Sequence, residues 1–516
     1  MRVADVVFAV VVVATFVCYY VKSRYVVLNG DDWVNVPRGN TFIDYFKPYQ
    51  SNLSIVPIAV YHFVFTVFGF GAYWPLRVAG LASNIAVGVA VYLIVRSRWG
   101  AAVALVAGVA VLWYPISLLT PSLFNHWLSL TGCLVAGWAL TFKPGRSDWI
   151  VAIALTFALC SSSVGVAGAA GCLAYVALSR APLRRWLVVG IPSALFVVWW
   201  FTLASDDHGQ SAHQPLFERG RYMFDGVTNS FQLLAPGGRW LGIPLAIAFL
   251  ACIAWQLRGG VRAAAMGLAW TFAILVWWTG LAFTRLGVAT GSPDSVRYRI
   301  VTCSFALLAL SPLAKSPKVR RLATDRRALA VALVASIAVV AINGPGIFQR
   351  ADFDGADYRQ QTAKMVVLNL GPSVVPDNVM VHFDLWVAMS ARRYRTLVDK
   401  YGAVPGTRPA HPDQAIARLT DIKPVPVDDP VHNCTRLRAP TKVPGKVDIR
   451  HGVNQATRVV LQAPSSDTTV QIRRYETSWV TVGVIPAGTT VALDLPVLFG
   501  QAPWVLQADG ACQVQR

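Results

Sequence analysis

The sequence predicts an α-helical polytopic membrane protein of about eleven transmembrane helices plus interfacial helices. A C-terminal domain outside the membrane follows, combining an α/β part with a β-sandwich. Three observations carry this. First, the 516 residues are 55% hydrophobic and only 14% charged, with mean hydropathy +0.49, whereas soluble domains carry about 25% charge. Second, several apolar runs approach the ~20 residues that cross a hydrocarbon core of about 30 Å. Third, the chain changes character near residue 345, turning Pro-rich and then into short β-branched runs.

In order, the expected spans are 4–22, 74–95, 101–119, 125–142, 148–162, 163–179, 184–204, 240–257, 263–283, 298–314 and 327–344. The first, in MRVADVVFAVVVVATFVCYYV, has a short basic start and no small-residue cleavage site, so it reads as an uncleaved span. The formal net charge of +20 sits largely in short clusters between spans. Arg96 and Arg98, Lys143 and Arg146, Arg180 with Arg184 and Arg185, Arg258 with Arg262, and the run Lys315 to Arg327 then fall on one side. The positive-inside rule makes that side cytoplasmic, and the pattern does not suggest nucleic acid as a partner. The opposite side receives the loop with Asp31, a turn near 118–124, the 205–238 loop, the 284–297 loop and the tail. This alternation requires that 53–70, with Pro57 and His62, lie at the interface as a helix. A twelfth span there is the alternative, and it would invert everything after it.

The tail divides into a mixed α/β and linker region, 346–445, and a sandwich-like region, 446–516. Residues 401–445 are Pro-rich and read as loop or linker. From 446 the runs TRVVLQA, TTVQIRRY, WVTVGVI, TTVALDL and PWVLQA alternate with turns, as strands do. Six cysteines lie in apolar spans, where a thiol behaves as a small hydrophobe. Cys434 and Cys512 flank the β-rich stretch, and a disulfide suits them if the tail faces an oxidising compartment.

The chain has no Walker lysine loop, GxGxxG, HExxH or CxxC, so nothing in it points to a nucleotide or structural zinc. An enzyme of this kind must receive its energy with the substrate. The polar stretch Tyr25 to Asn52 holds the adjacent acids Asp31 and Asp32. Neighbouring carboxylates repel, which raises one pKa toward the range of a general base; an acidic cap, an ion pair or a metal site is the plainer alternative. Trp33, Asp44, Tyr45, Lys47 and Tyr49 follow as candidate substrate contacts. His126 opens a span on the same face and could share a proton with a carboxylate, or serve only as a polar boundary residue. His62 and His208 are weaker candidates of the same kind. Arg285, Arg297, Tyr298 and Arg299 stand on the side where positive-inside does not expect arginine. Guanidinium groups grip phosphate bidentately; pairing with Asp294 or lipid headgroups is the alternative.

Taken together, these features resemble the GT-C superfamily of membrane glycosyltransferases over roughly 1–345. The residues that carry the resemblance are Asn29-Gly30-Asp31-Asp32-Trp33 after the first span and the interfacial stretch 41–70. Leu76-Arg77-Val78 enters the second span, Val95-Arg96-Ser97-Arg98-Trp99-Gly100 closes it, and Arg297-Tyr298 opens a late span. The chain is similar to the branch with protein mannosyltransferases, the aminoarabinose transferase of lipid A, and actinobacterial mannosyl- and arabinofuranosyltransferases. The resemblance implies an inverting glycosyltransferase of the bacterial plasma membrane, with a cytoplasmic N-terminus and a periplasmic C-terminal domain. It implies a polyprenyl-phosphate sugar as donor and a cell-envelope glycan, glycolipid or protein as acceptor, with membrane lipids as surroundings. Two features depart from the family pattern. The 118–125 turn holds Ser122 and Asn125 in place of a second acid, and Ile55-Val56-Pro57 stands where mannosyltransferases carry a His-Pro-Pro-type signature. They leave the subfamily open, and with it any need for a divalent cation (magnesium or manganese). The rival readings are a transporter or flippase of lipid-linked sugar, which would need charged or broken helices at mid-membrane, and a non-catalytic glycan-binding membrane scaffold. A membrane O-acyltransferase relying on His126 is a third.

Overall fold

In the computed structural model, residues 2–26, 28, 31–49, 52–114, 123–204, 214–232, 239–287, 291–315, 326–383, 388–428, 434–443, 457–475, 478–498 and 502–514 are described. The chain divides into two compact units. The first comprises Met1–Arg24, Arg38–His62 and Leu76–Ala351, the second Tyr25–Pro37, Phe63–Pro75 and Asp352–Arg516.

The first unit is helical. Its elements are α1 (Arg2–Lys22), most of α3 (Ile55–Phe68) and α4 (Trp74–Trp99), α5 (Ala101–Leu112), α6 (Phe124–Ala139), α7 (Asp148–Leu159), α8 (Val164–Leu178), α9 (Leu183–Leu203), α10 (Leu216–Gln232), α11 (Gly242–Leu257), α12 (Val261–Thr284), α13 (Val296–Leu310) and the start of α14 (Arg326–Leu368). Among the described residues, six helices are long and apolar enough to cross a membrane by length and composition: α1, α4, α9, α12, α13 and α14. The expected spans 101–119, 125–142, 148–162, 163–179 and 240–257 appear as the shorter α5, α6, α7, α8 and α11. The 205–238 segment, expected as a loop, contains α10, a 17-residue helix with one apolar and one polar face.

Small residues let these helices approach closely. A Cβ added at Gly168 of α8 would lie 2.2 Å from Cys133 Sγ on α6, and one at Gly137 of α6 would lie 2.2 Å from the Trp270 ring on α12. Dispersion between such closely fitted backbones holds helices together where water supplies no hydrophobic drive. At one end of the bundle, Asp148 meets Arg184 (2.9 Å) and Arg185 (3.5 Å). Asp5 likewise accepts from Arg96 (2.7 Å) and Tyr92 (2.6 Å), tying the start of α1 to the end of α4.

The second unit holds α2 (Asp31–Asn35), the remainder of α14, α15 (Ala391–Tyr401), α16 (Pro412–Leu419) and all the strands. Strands β1 (Met380–His382) and β2 (Ala388–Ser390) form a hairpin. The other strands are β3 (Val425–Pro426), β4 (Cys434–Arg436), β5 (Thr441–Val443), β6 (Thr457–Gln462), β7 (Thr468–Arg473), β8 (Val480–Ile485), β9 (Thr490–Leu495), β10 (Trp504–Gln507) and β11 (Cys512–Val514). They make a four-stranded sheet, β5-β10-β7-β8, and a five-stranded sheet, β3-β9-β6-β11-β4. Alternation along β7 sends Thr468, Val470 and Ile472 inward, which is the pattern of a sheet with one buried face. The Pro-rich stretch expected as linker therefore contributes α16 and three strands. Asp413 of α16 accepts the backbone N–H groups of Arg474 and Tyr475, fastening that helix to the end of β7.

A second expectation also changes. The helix expected to end at 344 runs on through Pro345 to Leu368 as part of α14. An interior proline removes one helical hydrogen bond at a cost of about 3 kcal/mol. Burial of Tyr358, Met365, Val366, Val367 and Leu368 beyond it offsets that cost.

Candidate functional site

Four of the sequence-derived candidates in the first unit come together. His126 stands in the first turn of α6, Arg285 caps the end of α12, and Arg297 and Tyr298 open α13. His126, Arg285 and Tyr298 line one cavity of about 430 Å³, within the range of ligand pockets. Its floor is α8 (Ser163, Val166, Ala167), and its walls are α9 (Phe196, Trp200) and α12 (Trp277, Leu281).

The local geometry has identifiable causes. Trp277 Nε1 donates to the Tyr298 carbonyl (3.1 Å) and Trp278 Nε1 to Thr302 Oγ1 (2.8 Å), which pins α13 to α12. The Arg297 Nη2 donates to Tyr298 Oη (2.9 Å), with the guanidinium 4.8 Å from that ring. Arg285 and Gly291 are drawn close: a Cβ on Gly291 would lie 2.1 Å from the Arg285 carbonyl oxygen. Tyr222 of α10 donates to the Gly291 carbonyl (2.6 Å), and Asn229 donates to Asp294 (2.7 Å). The Asn125 Oδ1 accepts the His126 backbone N–H (2.7 Å) and lies 2.9 Å from Nδ1. A carbonyl oxygen only accepts, so this contact makes Nδ1 the protonated nitrogen. The charges of Arg297 and Arg285 both act on the His126 ring, and the same two act on Tyr222.

Arg299 goes elsewhere. Two residues along a helix is about 200° of rotation, which separates it from Arg297. Its charge acts on Tyr114 and Cys303. Of the three arginines expected as one phosphate site, Arg285 lines the cavity, Arg285 and Arg297 both act on His126, and Arg299 acts on Tyr114 and Cys303.

The stretch 38–49 forms a self-braced loop in the same unit. Lys47 Nζ donates to Asp44 Oδ1 (2.7 Å), Asp44 Oδ2 accepts the Thr41 backbone N–H (3.0 Å), and Arg38 donates to the Lys47 carbonyl. The Lys47 and Thr41 hydrogen bonds hold the Asp44 carboxyl down at about 2. Arg38 also lies over the Tyr49 ring (5.7 Å), and Tyr45 meets His62 edge-on at 6.4 Å. Gly39, at φ +87°, sits where a Cβ would come within 3.2 Å of His62, Ile58 and Tyr45, so only glycine lets the loop close onto α3. Asp44 and Lys47, expected as substrate contacts, thus satisfy each other and the loop.

In the second unit, α2 carries the acid pair. Asp32 is 1% exposed and accepts from Tyr73 Oη at 2.8 Å. Trp33 is 0% exposed. Its indole stacks on Phe383 (4.7 Å) and packs against Tyr394 (5.4 Å) and Phe70 (5.6 Å). The expectation that Trp33 offers a ring to a sugar is corrected: it is a core anchor, because its faces are taken by other aromatics. Asp31 begins α2, and its side chain lies outside the described residues, as do Asn29, Gly30 and the whole of His208. Cys512 is disulfide-bonded, and Cys434 stands on β4, the strand paired with β11. Among the described residues no three His, Cys, Asp or Glu gather as a metal site.

No known protein family, curated protein or solved structure matches the chain.

Tyr222, Asn125, Trp277 and Tyr73 were missed from sequence. Helical periodicity in LFERGRYMFDGVTNSFQ was the available signal for Tyr222. The others are aromatic or amide residues whose role depends on tertiary contacts.

Proposed function

We propose that the protein is an inverting glycosyltransferase that moves a sugar from a polyprenyl-phosphate donor to a cell-envelope acceptor on the outer face of a plasma membrane. The observation that carries this is the cavity with apolar walls and a polar end built by His126, Arg285 and Tyr298, on which the Arg297 charge also acts. A cationic end on an apolar cavity suits an amphiphile with an anionic head.

In the proposed step, the acceptor hydroxyl oxygen attacks the anomeric carbon from the face opposite the phosphate. The carbon–oxygen bond to phosphate breaks, and the electron pair leaves with the lipid phosphate. A carboxylate base takes the hydroxyl proton, the role the sequence alone suggests for Asp31. Arg285 and Arg297 offset the charge that develops on the departing phosphate, and His126 supports it by hydrogen bonding. Asp32, buried against Tyr73, anchors α2 and so positions its neighbour. The basic clusters at Arg96, Arg184 and Arg185 support a cytoplasmic assignment for that end of the bundle.

The test is steady-state transfer by the full chain with donor and acceptor varied separately. Arg297→Ala is expected to raise the donor KM or lower kcat by about 10²-fold or more, with the acceptor KM little changed. An unchanged donor dependence would remove the phosphate role. Intact donor recovered on the other side of a vesicle, without transfer, would favour a flippase.

A further inference from the structure

The helix α10 is engaged on one side only. There Tyr222 donates to the Gly291 carbonyl (2.6 Å) and Asn229 donates to Asp294 (2.7 Å). Gly226 lies so close to α12 that a Cβ would come within 2.3 Å of the Trp278 ring. The other side of its first turns is apolar and open. Leu216 and Phe217 are each 78% exposed and Phe224 is 56% exposed, and a Cβ on Gly220 would meet nothing within 4 Å. At about 100° per residue, Leu216, Phe217, Gly220 and Phe224 fall in one arc. Arg221 stands at its edge, 3.8 Å from Asp225, and Glu218 and Arg219 fall outside it. Contacts with α12 fix the level of this face. Arg219 lies over the Phe283 ring at 4.1 Å, and Thr279 Oγ1 donates to Met223 Sδ at 3.8 Å. The helix therefore starts beside the last two turns of α12, which is long and apolar enough to cross a membrane. Phe272, Leu275 and Phe283 form the exposed apolar stripe of α12, and that stripe runs up to the junction.

We propose that the face of α10 formed by Leu216, Phe217 and Phe224 docks on the lipid bilayer, seated in the outer-leaflet interface with Arg221 at headgroup level. A narrow apolar face bordered by charged residues is the pattern of a helix that lies in that interface. Lipid is the occupant because the face continues the exposed apolar stripe of α12 at the level where a spanning helix ends. A water-facing loop, which the sequence suggested for this segment, would leave three large apolar side chains together in solvent. The docked helix also ties the bilayer to the candidate site. Its engaged side holds Gly291 and Asp294, in the segment between Arg285 and Arg297. This docking does not depend on which reaction the cavity serves.

The test uses the full chain in phosphatidylcholine nanodiscs, with a fluorescent amino acid in place of Phe217, of Phe224 or, as a mid-span reference, of Leu275. The lipid is unmodified, brominated near the headgroup end of its acyl chains, or brominated near their methyl end. Bromine quenches a fluorophore it touches. The expected result is a loss of emission at 217 and 224 that is larger with the headgroup-end bromines, whereas position 275 loses more with the methyl-end bromines. Emission at 217 and 224 that neither brominated lipid changes overturns the docking, whether that face then meets water or a second copy of the chain. Deeper quenching there by the methyl-end bromines overturns the interfacial seat. The link to the site is read by hydrogen exchange in the same nanodiscs. Phe217→Ser combined with Phe224→Ser alters only exposed positions and should speed exchange of the Gly291, Ser292 and Asp294 amides several-fold. Unchanged exchange at those amides overturns the link.

Discussion

Asp32 and Asp44 belong to one polar stretch of sequence and occupy contrasting surroundings. Asp32 is 1% exposed, in the second unit, with a tyrosine hydroxyl at 2.8 Å. Asp44 is partly exposed, in the first unit, held by Lys47 and the Thr41 amide. The same contrast separates the aromatics: Trp33 is enclosed by Phe383, Tyr394 and Phe70, whereas Tyr45 and Tyr49 sit on a partly exposed loop. Residue type alone made all of these substrate contacts or catalysts. Packing divides them into a buried half, which anchors α2, and a surface half, which braces a loop. A carboxyl held at about 2 is a poor proton acceptor near neutral pH, so Asp44 does not suit the proposed role of base. Asp31 is the remaining acid of the stretch.

Four comparisons test this division, from the largest effect to the smallest. Asp31→Asn is expected to lower transfer by about 10²- to 10⁴-fold with the melting temperature unchanged; full activity would return the base assignment to Asp32 or to neither. Trp33→Ala should destabilise the second unit by roughly 3–5 kcal/mol, read by thermal or denaturant unfolding, while Tyr49→Ala in the loop changes stability little. Comparable losses from both would erase the contrast. Tyr73→Phe removes one hydrogen bond to a buried carboxylate and should cost on the order of 1.5–3 kcal/mol, with a smaller loss of activity than Asp31→Asn. The fourth is a pH effect at Asp44. A carboxyl whose folded value lies below its unfolded value of about 4 contributes stability above that pH and loses it as pH falls toward about 2. The melting-temperature difference between wild type and Asp44→Asn should therefore be small but present at pH 6 and close over that acid window. A difference that widens on acidification would contradict the Lys47 and Thr41 brace.

Much of the fold was legible because its signals are local. Long apolar runs announce helices, and five of the β-branched runs coincide with β6 to β10. Strands β3, β4, β5 and β11 have two or three residues each, too few for a period to show, and prolines mask the first three. Continuation of α14 past Pro345 was hidden because tertiary burial beyond the proline overrides the local penalty. At the site, Arg285, Arg297, Tyr298 and His126 could be picked out because polar groups at the ends of apolar runs stand out. Separating Arg299 from Arg297 needed the helix phase of α13, and recognising Trp33 as core needed its partners Phe383 and Tyr394, which lie far away in sequence.

The most direct measurement of the central claim is a transfer assay with the purified full chain and a panel of polyprenyl-phosphate sugars, with and without chelator. Release of lipid phosphate, matched one-to-one by a glycosylated acceptor of inverted anomeric configuration, is expected for at least one donor. That release is expected to be lost in Arg285→Ala and Arg297→Ala. Consumption of no donor by a folded, lipid-embedded protein, or undiminished transfer by both arginine variants, would contradict it.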